Sequence, residues 1–149
     1  MLNRKRPDEA LSSFQRIDDL IDRMGAITRQ LKSYARKGAD AFEPVDARAC
    51  VSAALSMMEP QLKTRDVQIT RTLPSEPVMI YGDQLRFEQV IINLLRNALD
   101  ATKAARQPSI DIILAAGETV VLTVRDNGEG IDDLDALFEP FYTTKQPGD

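Results

Sequence analysis

"VIINLLRNALDAT", residues 90 to 102, decides how the rest of this chain is read. Asn93 and Asn97 lie four residues apart, so on a helix they share a face one turn apart. Gln89 and Asp100 extend that face in both directions. On the other side, Phe87, Ile91, Leu94, Ala98 and Ala101 recur at helical spacing and predict a core-facing stripe. A solvent-facing helix usually carries Lys and Glu on its polar side, whereas amides are neutral and directional. Two readings follow: an exposed face with amides there by chance, or a floor of hydrogen-bonding groups beneath a ligand.

The bulk composition narrows the function class. The chain has 149 residues, 43% hydrophobic and 28% charged, which fits one soluble globular domain, or one domain with an appendage. A net charge of -4 argues against nucleic acid as a partner, because phosphate contacts need clustered Lys and Arg. "NRKR" at 3–6 reads as a solvated terminus. No apolar run approaches the ~20 residues that span a bilayer, so no membrane contact is expected. A single cysteine, Cys50, gives no disulfide and suits a reducing cytoplasm. Histidine is absent, which excludes imidazole acid–base chemistry and the common zinc sites.

Working outward from the asparagine helix, two regions of unequal character appear. Residues 8–36 read as one long helix whose apolar stripe includes Phe14, Ile17, Leu20, Ile21, Met24, Ile27 and Leu31. That stripe is too wide for a simple two-stranded zipper and suits a bundle, so self-association through it is expected. "RKGADAFEP" breaks the pattern with Gly and Pro and predicts a hinge, dividing the chain into 1–38 and 39–149. A short extended piece around Val45 leads into a helix over 46–64 with Asp46 as its N-cap. "VQITRTL" and "VMIY" read as strands, and Asp83 caps the asparagine helix, expected to run to about Ala105. "SIDIILAAGETVVLTVRDNG" is two strands turning near Gly117 and Glu118. This order predicts an α+β domain, a sheet covered by helices on one face.

"DNGEGI", 126–131, closes the last strand. Asn-Gly alone signals a hairpin turn. The eighteen residues after it, "DDLDALFEPFYTTKQPGD", hold no alternating strand. Gly128 and Gly130 would let the backbone approach a ligand closely and the following segment pivot, and Asp126 at a strand end can accept from a ligand amine. The chain has no GxxxxGK loop, so a nucleotide site here is of another kind.

In this order and at these spacings, "QVIINLLRNALDAT", "DNGEGI" and "LFEPFYTTK" resemble the N box, first glycine box and F box of bacterial sensor histidine kinases. "RMGAITRQLKSYARK" resembles the second helix of their dimerisation domain. The "NALDA" and "TTK" details are most similar to the nitrogen-regulator and dicarboxylate-transport members. The resemblance implies a two-layer α/β sandwich for binding ATP, C-terminally truncated, behind a long dimerisation-bundle helix. It implies that Asn97 supplies a side-chain oxygen to a magnesium ion bridging the ATP phosphates, with Asn93 supporting the phosphates and Asp100 on the same face. Asp126 would accept the adenine amino group, with Gly128, Gly130 and Ile131 around the base. Phe138 would pack the base of a mobile lid, and Thr143, Thr144 and Lys145 would complete the ATP site.

The related ATPases of this superfamily, such as gyrase and the heat-shock chaperones, place a water-activating glutamate where this chain has Asn93. An amide cannot take that proton, so the resemblance favours phosphoryl transfer over hydrolysis. The partners implied are ATP, a second copy through 8–36, and a cognate response regulator whose aspartate receives the phosphoryl group. The family's acceptor histidine sits on a helix preceding 8–36. The chain is therefore expected to be a cytoplasmic piece of a larger kinase, anchored in the inner membrane and cut at both ends. Two other classes remain: a non-catalytic oligomerising module with a vestigial nucleotide site, and an anti-sigma-factor kinase, against which the bundle helix argues.

Overall fold

The computed structural model describes residues 13–18, 20–21, 23–25, 27–28, 31, 42–132 and 134. The described residues before 32 are helical, and Phe14, Ile17, Leu20, Ile21, Met24, Ile27 and Leu31 are all exposed. The expected hinge and the ends of the 8–36 helix fall largely outside the described residues. From residue 43 the order is β1 (Glu43–Asp46), α1 (Ala47–Thr64), β2 (Gln68–Thr72), β3 (Met79–Gly82), α2 (Gln84–Ala101), β4 (Ser109–Ala116) and β5 (Val120–Asp126). Among the described residues no helix is long and apolar enough to cross a membrane.

The chain divides into two compact units, the first formed by residues 1–57 and 74–93. In it β1 and β3 pair antiparallel, with Val45 opposite Ile80. Asp46 performs the expected N-cap and more: its Oδ1 accepts from Arg48 N at 3.0 Å and from Val78 N at 3.1 Å. One carboxylate thus starts α1 and fixes the entry to β3. Arg48 donates to the carbonyls of Pro74 and Ser75, holding the chain that leads there. Asp83 caps α2 through Arg86 N at 3.2 Å. Val45, Cys50, Val51, Ala54, Val78, Ile91 and Ile92 form this unit's core.

Burial, reinforced by the carboxylates of Glu88 and Asp46, pushes the Cys50 thiol from 9.0 up to about 11. The folded chain therefore keeps its proton where the unfolded chain has lost it. This contribution to stability is complete below about pH 9 and is lost as pH climbs towards 11. Unfolding free energy is expected to fall by up to about 2 kcal/mol across that window, with a shallower slope in Cys50→Ala. Denaturant titrations at pH 8 and 10.5 measure it, and identical slopes for the two proteins would refute the assignment.

The second unit holds residues 58–73 and 94–149. Its sheet runs β2-β4-β5, with β2 parallel to β4 and β5 antiparallel to it. The α+β class and the hairpin at Gly117 stand as expected. The single sheet does not: β1–β3 is a separate ladder. β3 is only four residues long, and the Asp83 cap turns the chain into α2 directly after it. On β4, Ile110, Ile112 and Leu114 are buried and alternate with half-buried residues, giving one face to a core shared with Met58, Leu62, Leu95, Ala98 and Leu99. The β2 end of α1 closes as a Schellman turn: Val67 N bonds Leu62 O, Asp66 N bonds Lys63 O, and Asp66 takes the left-handed φ of 51°.

Candidate functional site

α2 ends at Ala101, not near Ala105. Thr102 bonds back to Leu99 O through its hydroxyl at 2.9 Å, and tight turns carry the chain on through Lys103 and Ala105. The expected core stripe is also rotated. Ile91 and Ala98 are buried, but Leu94 is 39% exposed, Phe87 and Ala101 are half-buried, and Ile92, Leu95 and Leu99 fill the core instead. The amides keep the place assigned to them: Asn93 and Asn97 are both exposed, one turn apart. Gln89 donates to Asn93 Oδ1 at 2.9 Å, which leaves the Asn93 NH2 as a donor to whatever lies over that face. Asn97 makes no side-chain hydrogen bond to a described residue and offers both its oxygen and its NH2. Asp100 is half-buried, with its Oδ1 4.0 Å from Lys103 Nζ.

β5 positions the other cluster. Asp126 pairs with Ile110 across the ladder, so it shares the face of Val124 and Leu122, where β4 turns its buried side chains. Its Oδ1 accepts from Gly128 N at 2.8 Å, an Asx turn that fixes the carboxylate and leaves Oδ2 available. The close approach expected of Gly128 was to a ligand; the one found is to the protein's own backbone. A Cβ there would lie 2.8 Å from Ala101 Cβ and closer still to the Ala101 carbonyl. The loop behind Asp126 is thus seated on the last turn of α2, one turn beyond Asn97. Gly130 has φ 81°, a Cβ there would meet none of the described residues, and Ile131 is exposed. Phe138, Thr143, Thr144 and Lys145 lie outside the described residues.

Asn127 was not singled out in the sequence, yet it makes the most contacts in this turn. Its Oδ1 accepts from Ser109 N at 2.9 Å, its Nδ2 donates to Gln107 O at 2.8 Å, and its backbone N–H reaches Ser109 O at 3.3 Å. The "DNG" triplet carried no hint of this, because the partners stand eighteen and twenty residues earlier and meet Asn127 only through the hairpin register.

The second unit also has an open cavity of about 830 Å3, lined by Arg65, Gln68, Thr102, Lys103, Arg106 and Gln107 among others. Asn93, Asn97, Asp100, Asp126, Gly128, Gly130 and Ile131 are not part of its lining. Two of its cations serve the end of α2: Arg65 donates to Leu99 O at 3.3 Å and Lys103 faces Asp100.

Chemically, the α2 face and the β5 turn present amide donors, one amide oxygen and one oriented carboxylate. Among the described residues no group of three His, Cys, Asp or Glu side chains could hold a metal alone. A hard ion that keeps several waters and takes its remaining ligands from phosphates needs no such group, so the lone Asn97 oxygen fits magnesium.

Residues 82–149 match the family described as histidine kinase-, DNA gyrase B-, and HSP90-like ATPase. The chain is 38% identical over 151 residues to the C4-dicarboxylate transport sensor protein DctB of Rhizobium meliloti, covering 99% of the chain and 24% of that protein. DctB of Pseudomonas aeruginosa is 36% identical over 150 residues, covering 97% and 24%. The histidine kinase ThkA, solved in complex with the response regulator protein TrrA, superposes with a TM-score of 0.69 at 20% identity, over 97% of this chain and 42% of that one. These matches place residues 82–149 among histidine kinase-, DNA gyrase B- and HSP90-like ATPase domains. Other curated relatives are named sensor histidine kinases, and the chain spans about a quarter of the length of the two DctB proteins.

Proposed function

We propose that this chain binds ATP with magnesium and presents it for phosphoryl transfer to a protein histidine within a sensor histidine kinase. The observation that carries this reading is the fixed carboxylate of Asp126. Its Oδ1 is committed to Gly128 N, and its second oxygen is left to accept an exocyclic amine, which adenine has and guanine lacks at that position. Asn97 would hold the metal through Oδ1 and Asn93 would donate to phosphate oxygens. Magnesium held there would supply neutralisation of phosphate charge, which phosphoryl transfer chiefly requires. With an amide at Asn93, that position offers no carboxylate to activate water, and this supports transfer over hydrolysis.

The chain contains no histidine, so the acceptor is supplied from outside these residues. The exposed stripe of 13–31 suits pairing with a second copy, and ThkA's complex with TrrA supports a response regulator as the next recipient. A cytoplasmic position for this part of a membrane-anchored sensor belongs to the same reading. Sensor-kinase relatives across nearly the whole chain weigh against an idle oligomerising module.

Calorimetric titration with Mg-ADP tests the reading. Saturable binding is expected, weakened about tenfold in Asp126→Asn, which preserves the bond from Gly128 N but removes an acceptor for the adenine amine. Equal affinities in the two proteins would sink it.

A further inference from the structure

We infer that Asn127 is the positioning residue that aims the Asp126 carboxylate. In an antiparallel ladder a hydrogen-bonded pair exchanges both N–H···O bonds through the main chain. At the end of β5 only half of that exchange is made by backbone: Asn127 N–H reaches Ser109 O, but Ser109 N–H goes to the Asn127 side-chain oxygen. The side chain stands in for its own main-chain carbonyl. The ladder is carried one residue beyond β5 while the main chain is released from it. Nδ2 then fastens the same side chain to Gln107 O, so Asn127 is held at both ends of its amide plane.

The released backbone turns at once, brings Gly128 onto Ala101 and places the Gly128 N–H on Asp126 Oδ1. Asp126 is therefore flanked by a fixed pair on β4 before it and by the Asn127 clamp after it. Without the clamp, the turn that orients the carboxylate loses its anchor to Gln107 and Ser109. Asn127 touches no ligand in this scheme; it acts through Asp126.

The adenine consequence rests on the nucleotide reading above, so the test has two arms. In the first, amide exchange at Ser109 and Gly128 is followed by NMR in the whole chain, for wild type, Asn127→Ala and Asn127→Asp. Gly128 exchange is expected to quicken about tenfold in Asn127→Ala. Asn127→Asp, which keeps the acceptor for Ser109 and loses the donor to Gln107, should fall between. In the second, the same proteins are titrated with ADP and with inosine diphosphate, whose base lacks the amine. The preference for ADP is expected to shrink about tenfold in Asn127→Ala while inosine diphosphate affinity holds. An unmoved Gly128 amide overturns the proposal, and so does an equal weakening of both nucleotides, which is what a merely structural residue would give. If wild type binds neither nucleotide while Gly128 still follows Asn127, the nucleotide reading fails and the positioning role stands.

Discussion

Gly128→Ala is expected to destabilise the chain by about 3 kcal/mol and to remove nucleotide binding with it. The Cβ would be pressed into the Ala101 carbonyl group, and backbone cannot step aside as the tip of a side chain can. Either the last turn of α2 frays or the loop lifts off it, and lifting also breaks the Gly128 N–H bond that orients Asp126. Gly130→Ala is the natural comparison. There the methyl meets no described residue and the cost expected is that of the left-handed φ, about 1 kcal/mol. Urea unfolding of the two variants separates close approach from conformational preference. A Gly128→Ala protein no less stable than Gly130→Ala would mean the loop is not seated on the helix.

Ile112→Ala should cost about 2–5 kcal/mol. Ile112 is fully buried at the middle of β4, which is paired on both edges, opposite Arg71 of β2 and Val124 of β5. Its neighbours on either side in the ladder cannot close around the lost methyls without giving up hydrogen bonds. Ile113, next in the chain but on the other face and only half-buried, should cost far less when truncated. Equal losses at 112 and 113 would contradict the one-sided core. Because Asp126 hangs from the far end of β5, the Ile112→Ala chain should also bind Mg-ADP more weakly once close to its unfolding midpoint.

What could be read from the residues was whatever depends on near neighbours. Asp46 and Asp83 cap the helices that follow them, and the β4–β5 hairpin turns at Gly117 as its alternation predicts. The phase of α2 was not legible. Apolar residues at 90, 91, 92, 94, 95, 98, 99 and 101 cover more than half the circumference, so spacing alone cannot choose which edge faces inward. Packing chose the edge with Ile92, Leu95 and Leu99 and left Leu94 partly in solvent. The site divides the same way. Asn93 and Asn97 lie on one helix, so their shared face follows from four-residue spacing, whereas the Asn127 clamp depends on strand register across a hairpin.

The seat of Gly128 on Ala101 makes a gauge of the last turn of α2. From Asn97 to Ala101 is four residues, about 6 Å along the axis. In the proposed nucleotide site, the amide assigned to the phosphates and the loop assigned to adenine would therefore be metered against each other by a single helical turn. One residue added within that turn would swing Asn97 by about 100° around the axis, whatever its identity. Helix length is then as much a part of the site as any side chain. The hairpin tip at Gly117, which bears on no such measure, is where the chain can be lengthened at little cost to the site.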